Sequence, residues 1–430
     1  MAGTERQLER TIEDVQRFEA ILNLLEQNPD EMSHLHIPLV EDRLRHARKT
    51  LECVEQGKPF LATWYSNAPE ICTAMDLHWY TQVAGAFVAA IESPHAMEDL
   101  EGVDQLSVPA DCCTLLRMGL YYVDAGILPI PTAVIAMVEP CDGVASLHEV
   151  IRTHKDWREV PMFAPDPPYS RGEKSIDYFA NELREMVVFL EEHTGRKLDM
   201  ERLVEVVEES NRQYELWLEY SELRRSTPCP HGVTLATGAF GVAQNNLCGD
   251  PRGTAWFRDL VADAERRVRE NRPEVAHQKI RLLWYDIHPV WFAELTPWLE
   301  EEWGANVIQS MLMNCPYTLV DTSSEDAIWK GLAKRNLLDT PMIRQAQGTV
   351  ENFIYDIERI VKDFSIDCVV WPGHMGHKDS AASVSLMRDA CRDLGVPFLH
   401  LGVDQFDRRY TPVDEIKNRI IQFFGAMGLG

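Results

Sequence analysis

None of the ten cysteines in this chain pairs with another as C-x-x-C. That absence removes zinc ribbons and ferredoxin-type cluster runs, whose ligands stand close together in sequence. No G-x-G-x-x-G or Walker sequence follows an apolar run, so neither a nicotinamide site nor direct nucleoside-triphosphate binding is expected. No G-x-S-x-G nucleophile elbow occurs. Nowhere does an apolar run approach the length needed to cross a bilayer. The first residues, MAGTERQLERTIEDVQRFEAIL, read as an amphipathic helix with neither a signal-peptide apolar core nor an Arg-rich transit pattern, so a cytoplasmic location is expected. Positive charge is scarce as well: 42 Lys and Arg stand against 68 Asp and Glu, a formal net charge of −26. Such a field repels nucleic acid and anionic membrane at long range, which leaves neither as an expected partner, although a local basic pocket for a phosphorylated cofactor is not excluded. Scattered cysteines in a cytosolic chain do not build a disulfide framework, so any metal site has to be assembled from residues distant in sequence.

What is present describes an ordinary globular protein, 45% hydrophobic and 26% charged, and 430 residues exceed one compact core. Residues 5–57 carry apolar positions at helical spacing (Ile12, Val15, Phe18, Ile21, Leu22, Leu25). PFLATWYS (59–66) reads as a short buried strand, and Pro69 and Glu70 suit the first turn of the helix that follows. TAVIAMVEP (132–140) and VPMFA (160–164) are further strand candidates. Residues 173–226 are charged and helical, until STPCPHG breaks the helix; the charge runs mark a solvated face. A second α/β block starts near 279, with strands at IRLLWYD, NVIQSMLM, IDCVVWP and PFLHLGVD. The expectation is an α/β protein of two flavodoxin-like, doubly wound parallel-sheet domains with helical N-terminal and middle segments. Its parts are an N-terminal helical segment (1–57), a first α/β domain (58–172), a helical connecting region (173–278) and a second α/β domain (279–430).

Ligands of doubly wound sheets bind beyond the carboxyl ends of the strands. That rule selects Cys112 and Cys113 before a helix, Cys141 after a strand, Cys315 after another, and the loop WPGHMGHKDSAAS with His374 and His377; Cys248 lies in a loop. Singly these signals are weak, since an isolated cysteine is usually a small buried hydrophobe and an HxxH loop usually a polar turn. Together they place several soft donors at strand ends, which favours iron–sulfur or zinc. GVTLATGAFGVAQNN is small and polar enough to line an acyl or thioester pocket, or to be an interdomain linker.

Several segments in order carry a resemblance: YSNAPEICTAMD, DCCTLLRMGL, EPCDGVASLHEV and LGVPFLHLGVDQFDRRYTPVDEIKNRIIQFF. From about residue 50 onward the chain resembles the 2-hydroxyacyl-CoA dehydratase / benzoyl-CoA reductase family. The resemblance implies two similar α/β domains per subunit, pairing with a second homologous subunit, an acyl-CoA substrate and a [4Fe–4S] cluster held by three cysteines. It also implies an ATP-dependent activator protein as electron donor, and a ketyl radical anion on the thioester that expels the hydroxyl group. Ring reduction of the benzoyl-CoA type is the alternative reaction. The cluster ligands carried over are Cys113 (or Cys112) and Cys141. Where the family has its third cysteine, this sequence has GHMGHKDSAAS, and His377 is the best match, with His374 next. An imidazole in place of a thiolate makes a cluster less negative and raises its potential. Three readings stay open: a cluster with mixed Cys/His ligation, a subunit that has lost its cluster and serves as the structural or substrate-binding half of a heterodimer, or another metal such as zinc on His374 and His377. Cys315 is a lesser candidate for the missing thiolate. Lys378 or His374 is expected to supply charge or a proton near the substrate.

Overall fold

The computed structural model describes residues 2–63, 67–80, 95–136, 138, 142–314, 318–346, 350–374 and 376–428. Among these, eight strands form two parallel sheets: β1 (Phe60–Ala62), β2 (His78–Tyr80), β3 (Ala133–Ile135) and β4 (Met162–Phe163) in the first, and β5 (Ile280–Trp284), β6 (Ala305–Ser310), β7 (Cys368–Trp371) and β8 (Phe398–His400) in the second. The first sheet runs β2-β1-β3-β4 and the second β6-β5-β7-β8, the same order twice. Strands β1, β3, β5, β6 and β7 are buried at every residue, as expected of parallel strands covered by helices on both faces. The α/β class, with two sheets of flavodoxin-like order, is therefore what the protein has.

In each sheet the chain passes from its first strand to one neighbour, then crosses to the other side. The loops after β1 and β3, and those after β5 and β7, therefore diverge and open a crevice at the strand ends. One apolar core joins the halves: Phe60, Ala62 and Val134 of the first sheet share it with Leu282, Trp284 and Val370 of the second and with Trp217 and Phe257 of the intervening helices.

Three readings need correction. Residues 5–57 are two helices, Ala2–Gln27 and Ser33–Gln56, because Asp30 turns the chain between them, its carboxylate accepting from the Met32 N–H (2.9 Å) and the Ser33 hydroxyl (2.8 Å). Residues 173–226 are likewise two helices, Glu173–Thr194 and Met200–Leu223, the second started by Asp199, whose carboxylate caps the Glu201 N–H at 2.9 Å. GVTLATGAFGVAQNN is no linker: Val233–Gln244 is a largely buried helix whose small residues let Leu39 and Trp256 approach Gly238 closely. Strand β2 carries no periodic signal and escaped the sequence reading.

Candidate metal centre at the seam between the halves

Cys113 is the residue before the helix Thr114–Asp124, and the first turn of that helix hydrogen-bonds to the Cys113 carbonyl through the Leu116 and Arg117 N–H groups at 3.0 and 3.1 Å. Its neighbour across the seam is the loop after β7. Gly376 lies so close to the Cys113 backbone that any Cβ there would collide with it, and Gly373, at φ +71°, turns the loop where a Cβ would strike the His400 ring. These two glycines explain the spacing of GHMGH: they bring His374 and His377 under the first half of the protein.

One potential ligand atom from each of Cys113, His374 and His377 falls within 4.8 Å of the others. The His374 Nε2 lies 3.2 Å from the Cys113 Sγ, and the two imidazole rings stand edge to face with centroids 4.7 Å apart. His374 is fully buried, and its Nδ1 accepts the Gln405 backbone N–H at 3.3 Å. Burial, helped by the neighbouring His377, presses the His374 imidazole well below the usual histidine range. His377 stands just before the helix Lys378–Leu394, and its Nδ1 is 3.0 Å from the Asp286 Oδ2. Burial opposes charge on His377, but the Asp286 carboxylate, the hydrogen bond to it and the Cys113 sulfur outweigh that and hold the imidazole well above its ordinary value. Burial likewise works against charge on Asp286 and is outweighed by His377 and by hydrogen bonds from His377, the Ile287 N–H and Gln405, so the carboxyl is lowered.

Asp286 stands two residues after the end of β5 and sits at φ 152°, a backbone region that side-chain-bearing residues rarely adopt. It is also 1% exposed. A strained, buried carboxylate at the switch point of the second sheet, aimed at an imidazole, is the arrangement by which a metal-binding histidine is oriented and its tautomer fixed. A second brace crosses the seam: the Thr114 hydroxyl donates to the Asp404 Oδ2 at 2.7 Å, while the Asp404 Oδ1 accepts the N–H groups of Phe406 and Asp407 at 2.8 and 2.9 Å. Asp286 and Gln405 were not singled out from the sequence. The available signal was IRLLWYD, an acid at the end of an apolar run.

Of the other candidates, Cys112 is partly exposed and outside the group. Lys378 reaches outward, its Nζ 2.9 Å from the Asp111 Oδ2, both side chains well exposed. Cys141 and Cys315 lie outside the described residues; the helix Asp142–Thr153 starts one position after Cys141. Cys248 is buried beside Glu70 and Cys72, and burial pushes its thiol well above the ordinary value, which suits a structural cysteine. The donor set at the seam is a soft thiol sulfur and imidazole nitrogen, buried and backed by a carboxylate, which is compatible with iron–sulfur or zinc and unsuited to magnesium or calcium. The described cysteines are all free. No helix among the described residues is long and apolar enough to cross a membrane.

The family described as 2-hydroxyglutaryl-CoA dehydratase, D-component, matches residues 65–427. The chain is 21% identical over 309 residues to the alpha subunit of (R)-2-hydroxyglutaryl-CoA dehydratase from Acidaminococcus fermentans, which covers 70% of this chain and 61% of that protein. It is 22% identical over 394 residues to the (R)-phenyllactyl-CoA dehydratase alpha subunit of Clostridium sporogenes, covering 86% of this chain and 90% of the relative. To the lactoyl-CoA dehydratase subunit alpha of Anaerotignum propionicum it is 24% identical over 196 residues, 40% of this chain and 45% of the relative. With the match spanning most of its length, the chain belongs to the 2-hydroxyglutaryl-CoA dehydratase D-component family.

Proposed function

We propose that this chain is a subunit of a 2-hydroxyacyl-CoA dehydratase, a lyase that removes water from a CoA thioester by one-electron chemistry. The observation that carries the reading is the meeting of Cys113, from the first half, with His374 and His377, from the second, at the strand-end crevice of a chain in this family. The relatives are named as dehydratase alpha subunits, which favours dehydration over ring reduction and supports a homologous partner subunit. An acyl-CoA substrate and an ATP-dependent activator as electron source belong to the same reading. Free cysteines support a reducing, cytoplasmic setting, and the net charge of −26 opposes nucleic acid and membrane partners. The same reading divides the chain after residues 57, 172 and 278.

The centre we assign is a [4Fe–4S] cluster with mixed ligation by Cys113, Cys141 and His377. When bound it supplies the electron and a Lewis-acidic iron for the departing hydroxyl. Such a centre would supply reversible one-electron reduction of the thioester, so that hydroxide could leave the adjacent carbon and a proton the next one, with the electron recovered and water lost overall. In this scheme Asp286 orients His377, and the apolar walls of the seam exclude bulk water from the radical. Lys378, exposed and paired with Asp111, supplies positive charge toward the anionic CoA moiety, and His374 acts on charge at the Cys113 sulfur.

Iron and acid-labile sulfide analysis of anaerobically purified protein tests the reading. Both are expected. Correctly folded protein without iron overturns the catalytic assignment and marks a cluster-free partner subunit. Cys141→Ala is expected to lose iron, and unchanged iron would show that Cys141 is not a ligand.

A further inference from the structure

The two imidazoles at the seam look equivalent as ligands until their protons are placed. A backbone N–H can only donate, so the His374 Nδ1, 3.3 Å from the Gln405 nitrogen, has to be the acceptor and carries no proton. The Asp404 Oδ1, which would welcome a proton on the same nitrogen, is farther away at 3.8 Å and already receives two backbone N–H groups. The ring proton of His374 therefore sits on Nε2, the atom 3.2 Å from the Cys113 Sγ. A protonated ring nitrogen has no lone pair to give a metal. His377 is the opposite case. Its Nδ1 faces the Asp286 Oδ2 at 3.0 Å, and a carboxylate accepts, so Nδ1 keeps its proton and a metal can bind only by displacing the proton of the other nitrogen, on the Cys113 side of the group. The hydrogen-bond partners thus distinguish the two rings: Nδ1 is bare in His374 and protonated in His377.

Resting on the reading of the site as a cluster-binding centre, we infer that His374 is not a ligand but the N–H···S donor to the Cys113 thiolate, while His377, through the nitrogen not bonded to Asp286, is the imidazole ligand. His374 is a positioning residue. It is locked by the Gln405 N–H on one side and by Phe406, whose ring stands edge to face at 5.6 Å, on another. Its N–H stabilises negative charge on the Cys113 sulfur, and hydrogen bonds to cluster sulfurs raise the reduction potential. The same tautomer argues against a zinc ion chelated by both imidazoles.

Two measurements on the full chain test this. The first needs no metal: long-range proton–nitrogen correlation spectra of histidine-labelled, cluster-free protein, with His374 assigned by loss of its signals in His374→Gln. The Nε2–H tautomer is expected, and an Nδ1–H tautomer overturns the inference whatever the protein binds. The second uses anaerobic reconstitution with iron and sulfide, reading metal content, midpoint potential and the nitrogen hyperfine coupling of the reduced centre. His374→Gln is expected to keep the iron, the sulfide and the strong coupling. His374→Leu is expected to keep iron while lowering the midpoint potential. His377→Ala is expected to lose the coupling, with or without the iron. Coupling that disappears in His374→Gln and survives in His377→Ala overturns the assignment. Wild-type protein that takes up neither iron nor sulfide refutes the proposed function and the ligand assignment together, while the tautomer spectrum still decides the role of His374.

Discussion

Replacing Asp286 probes the hinge of the candidate centre. The carboxylate is 3.0 Å from the His377 Nδ1, accepts the Ile287 N–H at 2.7 Å, and has no exposed side-chain surface. At that separation, with an effective dielectric of about 20, the gross attraction for a charged ring is about 5 kcal/mol, before desolvation is subtracted. Truncation to Ala removes the carboxylate and strands a buried imidazole, at a cost of about 3–5 kcal/mol in the cluster-free protein. Asp286→Asn keeps an oxygen acceptor for the ring N–H and loses only the charge, so a smaller loss of about 1.5–3 kcal/mol is expected. Backbone strain separates a third variant. At φ 152°, Asp286→Gly relieves a conformation that Ala cannot adopt comfortably, so Gly should be more stable than Ala by about 1–3 kcal/mol although both lack the carboxylate. Denaturant unfolding should place wild type first and Ala last, with Asn and Gly between them. Iron retention against a chelator should fall about 10–100-fold in Asp286→Asn, the usual effect of losing a partner behind a metal-binding histidine. An Asn variant with wild-type stability and iron retention refutes the orienting role, and a Gly variant no better than Ala refutes the strain.

Other substitutions test separate parts of the reasoning. Gly376→Ala inserts a methyl group into the Cys113 backbone and should cost about 1–3 kcal/mol by denaturant unfolding, with iron content falling in parallel. Lys378→Ala removes an exposed ion pair to Asp111, so stability should change by no more than about 1 kcal/mol, while acyl-CoA binding weakens and loses part of its salt dependence; unchanged KM across ionic strengths removes Lys378 from substrate recognition. His377→Cys, combined with Asp286→Asn so that no buried carboxylate faces the new thiolate, should retain iron and lower the midpoint potential in a redox titration; an unchanged or higher potential argues that residue 377 does not touch the centre. Glu300 gives a pH test. Burial, with Glu274 and Glu301 nearby, raises its carboxyl to about 7, so its ionised form is penalised in the fold; the penalty is absent below the unfolded value near 4.5 and grows until the pH passes about 7. Because the group is partly solvated, Glu300→Gln should stabilise by only about 1–2 kcal/mol at pH 8 and leave pH 4.5 unchanged. Equal effects at both values would refute the titration.

Much of the architecture was legible because burial on both faces leaves a plain record in sequence. IRLLWYD, NVIQSMLM and IDCVVWP are apolar runs with few alternatives to a central parallel strand; β5 and β7 fall inside them, and β6 begins one residue earlier, at Ala305. Strand β2 was not legible: three residues, one of them His78, have no period of their own, and the segment is extended because β1 pairs with it from Phe60 to Ala62. The helix Val233–Gln244 was hidden for the opposite reason. Its Thr and Gly residues argue against a helix, and only packing of small side chains against Leu39 and Trp256 makes it one. At the site, His374 and His377 could be found from the resemblance and the strand-end rule. Asp286, Gln405 and the division of labour between the two imidazoles could not, since they depend on which donor faces which ring nitrogen across loops more than a hundred residues from Cys113.

The placement of the proposed ligands has a common cause. Cys113 precedes the helix Thr114–Asp124, Cys141 precedes Asp142–Thr153, and His377 precedes Lys378–Leu394, so each is the last residue before a helix starts. Two of these positions, 141 and 377, follow β3 and β7, which hold the same place in sheets of the same order. The junctions at Cys113 and His377 meet across the seam, and in the proposed ligation the junction at position 141 is the third. Unsatisfied N–H groups and the positive end of the helix dipole lie at every such junction, which favours anionic occupants of the crevice between them. In that setting a neutral imidazole at position 377 in place of a thiolate removes one negative charge. Asp286 behind it and the N–H of His374 beside Cys113 then become the chain's own means of setting how much negative charge the site carries.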